Sequence, residues 1–224
     1  MRTKSILLGA AVMAAGVASS MAQAPNVYSV NVVGYVNVPL PSGYTLVANP
    51  LNLDNTNNIN NVIPNPPNGT EYIAWNGSGL AQPITFYSGN GWFDQSLNPA
   101  TNLLNLGTAF FIYNPGASNT VTFVGNVAQG TNTTVITPGY TFNALVAPIS
   151  SDLDTNGFPQ SINGLQYSTF TNGAYTPPVT YYQGSGWFDG GLNQVFPTPN
   201  AAQGFLIYNP SANSANWPQT FTVQ

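Results

Sequence analysis

Tyr87-Ser88-Gly89-Asn90-Gly91-Trp92-Phe93-Asp94 returns as Tyr182-Gln183-Gly184-Ser185-Gly186-Trp187-Phe188-Asp189, at an offset of 95 residues. In each copy a Gly-Asn or Gly-Ser pair separates two short β-forming runs, which is the composition of a tight hairpin needing positive φ. The same offset carries Phe111-Ile112-Tyr113-Asn114-Pro115 onto Leu206-Ile207-Tyr208-Asn209-Pro210, and an offset of 96 carries Gly43-Tyr44-Thr45 onto Gly139-Tyr140-Thr141. Three landmarks in near-constant spacing mark a duplication. A shorter echo links Val32-Val33-Gly34-Tyr35-Val36 with Phe123-Val124-Gly125-Asn126-Val127, and Thr220–Val223 reads as its terminal instance.

Around these landmarks the local pattern is β. Short runs rich in Val, Ile, Thr, Tyr and Phe are broken by Gly, Pro and Asn. Strands are expected at Val27–Val38, Tyr44–Ala48, Glu71–Trp75, Ile84–Tyr87, Ala109–Tyr113, Val121–Val124 and Thr133–Ile136. The second copy adds Tyr140–Val146, Tyr167–Phe170, Val179–Tyr182, Phe205–Tyr208 and Thr220–Val223. No apolar stripe of helical period runs for three turns, and only Asn57–Val62 and Phe158–Ile162 suit single helical turns. The expected fold is all-β, with two tandem β-sandwich or open-barrel modules of about 95 residues, related by a pseudo-two-fold axis. The expected boundaries are 1–22 for a leader, 23–128 for the first module and 129–224 for the second.

The leader reading rests on Arg2 and Lys4 ahead of the apolar run Ile6–Val17 and the small-residue stretch Ala18–Ala22. These are the three regions of a secretory signal peptide, with cleavage expected after Ala22. Beyond Lys4 the chain has no Lys, Arg, His or Cys, and its acidic residues are Asp54, Glu71, Asp94, Asp152, Asp154 and Asp189. That set lacks a His or Lys base, a thiolate, an Arg clamp and a His/Cys metal set, so an enzyme is not expected. Nucleic acid and anionic lipid are excluded as partners, because both need cations to neutralise phosphate. No second apolar stretch is long enough to span a bilayer, so no membrane insertion is expected after leader removal. Hydrophobic residues at 43% and aromatics at 12% are too abundant for a disordered chain.

The opening Val27-Tyr28-Ser29-Val30-Asn31-Val32-Val33-Gly34-Tyr35-Val36, the Gly-Tyr starts, Gly-Trp-Phe-Asp and the Phe/Leu-Ile-Tyr-Asn-Pro strands carry a resemblance. Together they resemble a group of secreted, duplicated, β-rich proteins encoded in many copies by bacteria of the Verrucomicrobia–Planctomycetes type. The resemblance spans nearly all of the chain past the leader. It implies export and duplication, and it brings no activity, cofactor or catalytic residue with it.

Three constellations bear on function. Neighbouring strand residues face opposite ways, so Phe86/Tyr87, Trp92/Phe93, Tyr181/Tyr182 and Trp187/Phe188 place aromatics on both faces of each hairpin. One face suits a core. The other is expected either to be covered, by the second module or another subunit, or to stay open as a sugar platform. The contact candidates are therefore Tyr87, Trp92, Phe93, Asp94, Tyr182, Trp187, Phe188 and Asp189. Asp94 and Asp189 also admit a glycosidase-type carboxylate pair, against the plainer reading of hairpin-end caps. Asp152-Leu153-Asp154-Thr155-Asn156-Gly157 opens like a calcium loop, with Asp152, Asp154 and Asn156 as ligands. Position twelve of that loop is Asn163 rather than Glu, and an ion-free Asx turn is the competing account. Asn52–Asn57 is the weaker equivalent expected in the first copy. Asn68-Gly-Thr and Asn76-Gly-Ser match the glycosylation pattern.

From these features the expected function is a non-catalytic extracellular structural or surface protein that associates with itself or with other cell-surface proteins. Val27–Val38 is the strand expected to pair within its module or to be donated to a neighbouring copy. The alternative is a carbohydrate-binding module, with polysaccharide as partner and the repeated aromatics as its contact. No cofactor is expected apart from calcium at the Asp152 loop.

Overall fold

The computed structural model describes residues 32–53 and 56–223. The expected signal peptide, residues 23–31 of the expected first strand and module, and Asp54-Asn55 lie outside the described residues.

The first module begins with β1 (Val33–Leu40), which pairs antiparallel with β7 (Asn119–Asn126) and sets Gly34 opposite Gly125. The echo seen between these segments is thus an echo between partner strands. Their alternation is strict. Val36, Val38, Leu40, Val121 and Phe123 turn inward, while Tyr35, Asn37, Thr122 and Val124 turn out. Facing this ribbon is a five-stranded sheet of β2 (Gly43–Ala48), β3 (Glu71–Ala74), β4 (Ile84–Tyr87), β5 (Gly91–Phe93) and β6 (Ala109–Asn114) in the order β2-β6-β3-β4-β5. The two layers share a core that includes Leu40, Val47, Tyr72, Phe86, Trp92, Phe110, Ile112 and Phe123. This is an all-β, sandwich-like fold, not a closed barrel.

The second module repeats the plan. Strand β8 (Gly130–Ile136) pairs with β16 (Ala215–Phe221). The larger sheet contains β9 (Gly139–Asn143), β10 (Gln166–Thr171), β12 (Val179–Tyr182), β13 (Gly186–Phe188), β14 (Gln194–Val195) and β15 (Phe205–Asn209), in the order β14-β13-β12-β10-β15-β9. A short β11 (Ala174–Tyr175) folds back on β10. Strand β16 starts well before the expected Thr220, with Pro218 inside it, because β16 pairs with no strand but β8 and a proline is tolerated on such an edge strand.

Each Tyr-Asn-Pro motif joins the two layers of its module. Asn114 is buried, and its Nδ2 donates to Leu40 O and Ala117 O while its Oδ1 accepts from Gly116 N. Asn209 does the same with Ile136 O, Asn213 O and Ser211 N. A buried amide that satisfies both of its ends fixes the spacing between the layers.

Asn57–Val62 contains the expected helical turn, Ile59–Val62, capped by the Asn58 side chain. Phe158–Ile162 is not helical. Gly157 there has φ +67° and lies against the Pro218 carbonyl, and Pro159 follows, so the chain is pinned as a turn. No helix among the described residues is long and apolar enough to cross a membrane.

Each named strand pairs only within Val33–Asn126 or within Gly130–Phe221. Packing then fuses the halves. Leu46, Ala48, Ile73, Ala109 and Phe111 of the first module form one buried cluster with Phe142 and Ala144 of the second, and the half-buried Phe170 and Leu206 pack against it. The contacts are reciprocal. Val47 bridges Gln203 and its counterpart Asn143 bridges Thr108, while Ala48 N donates to Ala202 O as Ala144 N donates to Gly107 O. Gly107 and Ala202 both take the left-handed conformation needed at that corner.

Candidate functional site

Alternation along the hairpins divides their aromatics as the physics requires. Phe86 and Trp92, and likewise Tyr181 and Trp187, face the cores. Trp92 and Trp187 are 1% and 0% exposed, so neither tryptophan can be the ligand contact that the sequence made them candidates for. They are the largest fully buried side chains of their sheets, and Trp92 Nε1 donates to Ile63 O at 2.8 Å. Tyr87, Phe93, Tyr182 and Phe188 face outward and stay partly exposed, outside the buried cluster between the modules.

On that outer face the strand register aligns a row across five strands of each sheet, the whole of the first and all but the edge strand β14 of the second sheet's path. In the first module Tyr44 lies opposite Tyr113, Tyr113 opposite Glu71, Glu71 opposite Thr85 and Thr85 opposite Phe93. In the second, Tyr140, Tyr208, Gln166, Thr180 and Phe188 are aligned in the same way. Five strands at a spacing of about 4.8 Å make each row roughly 19 Å long. Aromatic rings stand at both ends and hydrogen-bonding side chains at the centre. The tyrosine pairs have almost identical geometry, with centroids 4.8 Å and 4.7 Å apart and planes tilted by 43° and 42°. Tyr87 and Tyr182 extend the far ends, edge-on to Phe93 and Phe188. Exposure also repeats, at 48% and 49% for Tyr44 and Tyr140 and 40% for both Tyr87 and Tyr182. Beside the second row runs a groove of about 400 Å³, lined by Tyr140, Gln166, Tyr175 and Pro178, with Trp75 contributed by the first module.

Tyr44, Tyr113, Glu71, Thr85 and their counterparts are not candidates from the sequence. The Gly-Tyr and Tyr-Asn-Pro landmarks name the tyrosines, but only the register places them in line with Phe93 and Phe188.

Asp94 and Asp189 sit just beyond the rows and act as turn caps. Asp94 Oδ1 accepts from Ser96 N and Asn98 N, and its Oδ2 from Asn98 Nδ2. Asp189 is held in the same way by Gly191 and Asn193. Hydrogen bonds from Asn98 and Asn193 hold both carboxyls below the usual Asp range. A glycosidase acid needs its pKa raised, so neither carboxyl has the property that role demands.

The Asp152 loop is likewise tied to its own backbone. Asp152 Oδ1 accepts from Asp154 N at 2.9 Å, and Asn156 O accepts from Trp217 Nε1 at 2.7 Å. Its counterpart in the first module is Asn58-Ile59-Asn60 rather than Asn52–Asn57. Asn58 Oδ1 caps Asn60 N in the same way, and Ile59 N bonds Asn102 O as Leu153 N bonds Pro197 O. Two amides of one copy are therefore two carboxylates in the other. Asp154 Oδ1 is buried without a hydrogen-bond partner, and desolvation, then the nearby Asp152, push its pKa up against a weaker pull from the Trp187 indole. Among the described residues, no three acidic, His or Cys side chains converge as a metal set. At the two glycosylation patterns, Asn68 Oδ1 accepts from Ser88 N, and Asn76 Oδ1 from Ser78 N and Gly79 N, so both carboxamides cap turns.

The chain matches no family model, no curated protein and no solved structure, so the motif resemblance stands on its quoted residues alone.

Proposed function

We propose that the protein is a non-catalytic, exported binding protein whose two aromatic rows hold extended, uncharged polysaccharide chains. The observation that carries this reading is the duplicated row itself. Cross-strand pairing explains each neighbouring contact, at about 0.2–1 kcal/mol. It does not explain why apolar rings at both ends and polar groups in the middle are left open alike in two copies. A pyranose chain has that complementarity, with apolar ring faces to stack and hydroxyls to bond. Beyond residue 4 the chain carries no cation, and Glu71 lies at the centre of the first row, so an acidic polymer would meet repulsion with nothing to neutralise it. Export through residues 1–22 would bring the rows to where such chains are met.

Calorimetric titration with soluble neutral and acidic polysaccharides tests the reading. Neutral chains should bind with two sites per protein, and Tyr44→Ala with Tyr140→Ala should weaken both sites without lowering the melting temperature. Equal binding of acidic chains, or binding untouched by these changes, would count against it.

Self-association keeps one specific observation in its favour. Val33 and Tyr35, 67% and 73% exposed, face outward on β1 beside the half-exposed Val124 of β7. If this patch joins copies, assemblies seen by electron microscopy should disappear in Tyr35→Ser while the fold persists.

A further inference from the structure

At the Phe93 end of the first row the surface dips into a shallow, open cleft of about 260 Å³ lined by Tyr87, Asn90, Phe93 and Leu97. Leu97 is 67% exposed and takes φ +61°, and its counterpart Leu192 is 72% exposed at φ +62°. A leucine in the left-handed region is strained, because its Cβ crowds the following carbonyl. The turn does not require it. The backbone is held by the Asp94 and Asp189 caps, and Gly or Asn would occupy the position without strain. The apolar side chain, present in both copies, is therefore what the strain preserves.

Resting on the polysaccharide reading of the rows, we propose that this cleft, and the matching side chains of the second copy, receive the acetamido group of a sugar at the row's end, so that the ligand is a neutral glycan built from N-acetylated units. The methyl fits against Tyr87, Phe93 and Leu97, which offer it no polar competitor. The amide needs one acceptor and one donor, and the Asn90 carboxamide carries both. Its present contact, a long 3.5 Å bond from Nδ2 to Ser88 O, is readily exchanged. In the second copy Tyr182, Phe188 and Leu192 repeat the apolar wall, and Ser185 replaces Asn90. Phe93 is both the last residue of the row and a wall of the cleft, so a chain lying along the row delivers its terminal substituent there. A glycan without the acetyl group would leave the cleft unfilled.

The test is calorimetric titration of the full chain with a β-linked N-acetylglucosamine oligomer and with a glucose oligomer of the same linkage and length. The wild type should bind the acetylated ligand about tenfold more tightly, the usual return for one added apolar group in a fitted pocket. Leu97→Asn with Leu192→Asn, which relieves the left-handed backbone, should remove that preference while leaving glucose-oligomer binding intact and the melting temperature no lower than that of the wild type. Equal affinity in the wild type, or a preference that survives the double change, overturns the acetamido assignment and leaves the rows standing. Binding of neither oligomer overturns both.

Discussion

Asp154→Asn should stabilise the protein, and by an amount that depends on pH. In the first module the counterpart, Asn60, donates from Nδ2 to Ala100 O at 2.9 Å and to Asn58 Oδ1 at 3.1 Å, while its Oδ1 accepts from Trp92 N at 3.2 Å. Asp154 has no donor in that place, and its Oδ1 is buried without a partner beside a second carboxylate. Restoring the amide adds one or two hydrogen bonds, worth about 0.5–1.5 kcal/mol each. For a chain of this size the total, about 0.5–3 kcal/mol, corresponds to roughly 1–12 °C in melting temperature. The sign with pH follows from linkage. The folded-state pKa of Asp154 is raised, so its favourable, protonated form is fully present below the unfolded value of about 3.9 and is lost as pH rises through the folded value. The advantage of the Asp154→Asn variant should therefore be full at pH 7 and close to zero near pH 3. Thermal unfolding of both proteins in chelator, followed by circular dichroism from pH 3 to pH 7, gives the comparison directly. Asp94 and Asp189 have lowered pKa values and lose stability on the acid side, but they do so equally in both proteins. A variant less stable at pH 7, or an advantage unchanged at pH 3, would refute the equivalence of Asp154 with Asn60.

Trp92→Ala should cost about 3–5 kcal/mol, since it empties a buried site and strands the Ile63 carbonyl; a loss under about 1 kcal/mol in urea unfolding would contradict its core placement. Gly157→Ala drives a Cβ into the Pro218 carbonyl at positive φ and should lower the melting temperature by more than about 5 °C, whereas a neutral result would mean that the loop is not pinned to β16. If Asp152, Asp154 and Asn156 do hold calcium, millimolar calcium should raise the melting temperature of the wild type and not of Asp152→Ala; an unchanged wild type would end that reading.

The duplication and the β character are legible in the sequence because they rest on local pattern. Glycine at hairpin turns, alternation along strands and constant landmark spacing all survive without tertiary knowledge. The aromatic faces are legible only in part. That each hairpin carries aromatics on both sides is a matter of alternation, but which side is core depends on where the β1–β7 and β8–β16 ribbons lie. The ribbons cover the Trp92 and Trp187 side, and this removes the tryptophans from the candidate site. The rows themselves are hidden because they join residues from five strands whose register no single segment encodes. The Asp152 loop aligns by sequence with Asn52–Asn57 because both stretches carry Leu-Asp among Asx residues, yet the true match, Asn58 with Asp152 at an offset of 94, keeps the landmark spacing to within two residues, and the hydrogen bonds of Asn58 and Asn60 establish it. Strand β16 reads as starting only at Thr220 because Pro218 argues against a strand until its edge position is seen.

The most direct measurement is nuclear magnetic resonance titration of the aromatic side chains with a soluble neutral oligosaccharide. Shifts confined to Tyr44, Tyr113, Phe93 and Tyr87 and to Tyr140, Tyr208, Phe188 and Tyr182, with Trp92 and Trp187 unmoved, are what two surface rows predict. Saturating ligand that shifts none of these rings, or that shifts residues away from both rows, would contradict the account.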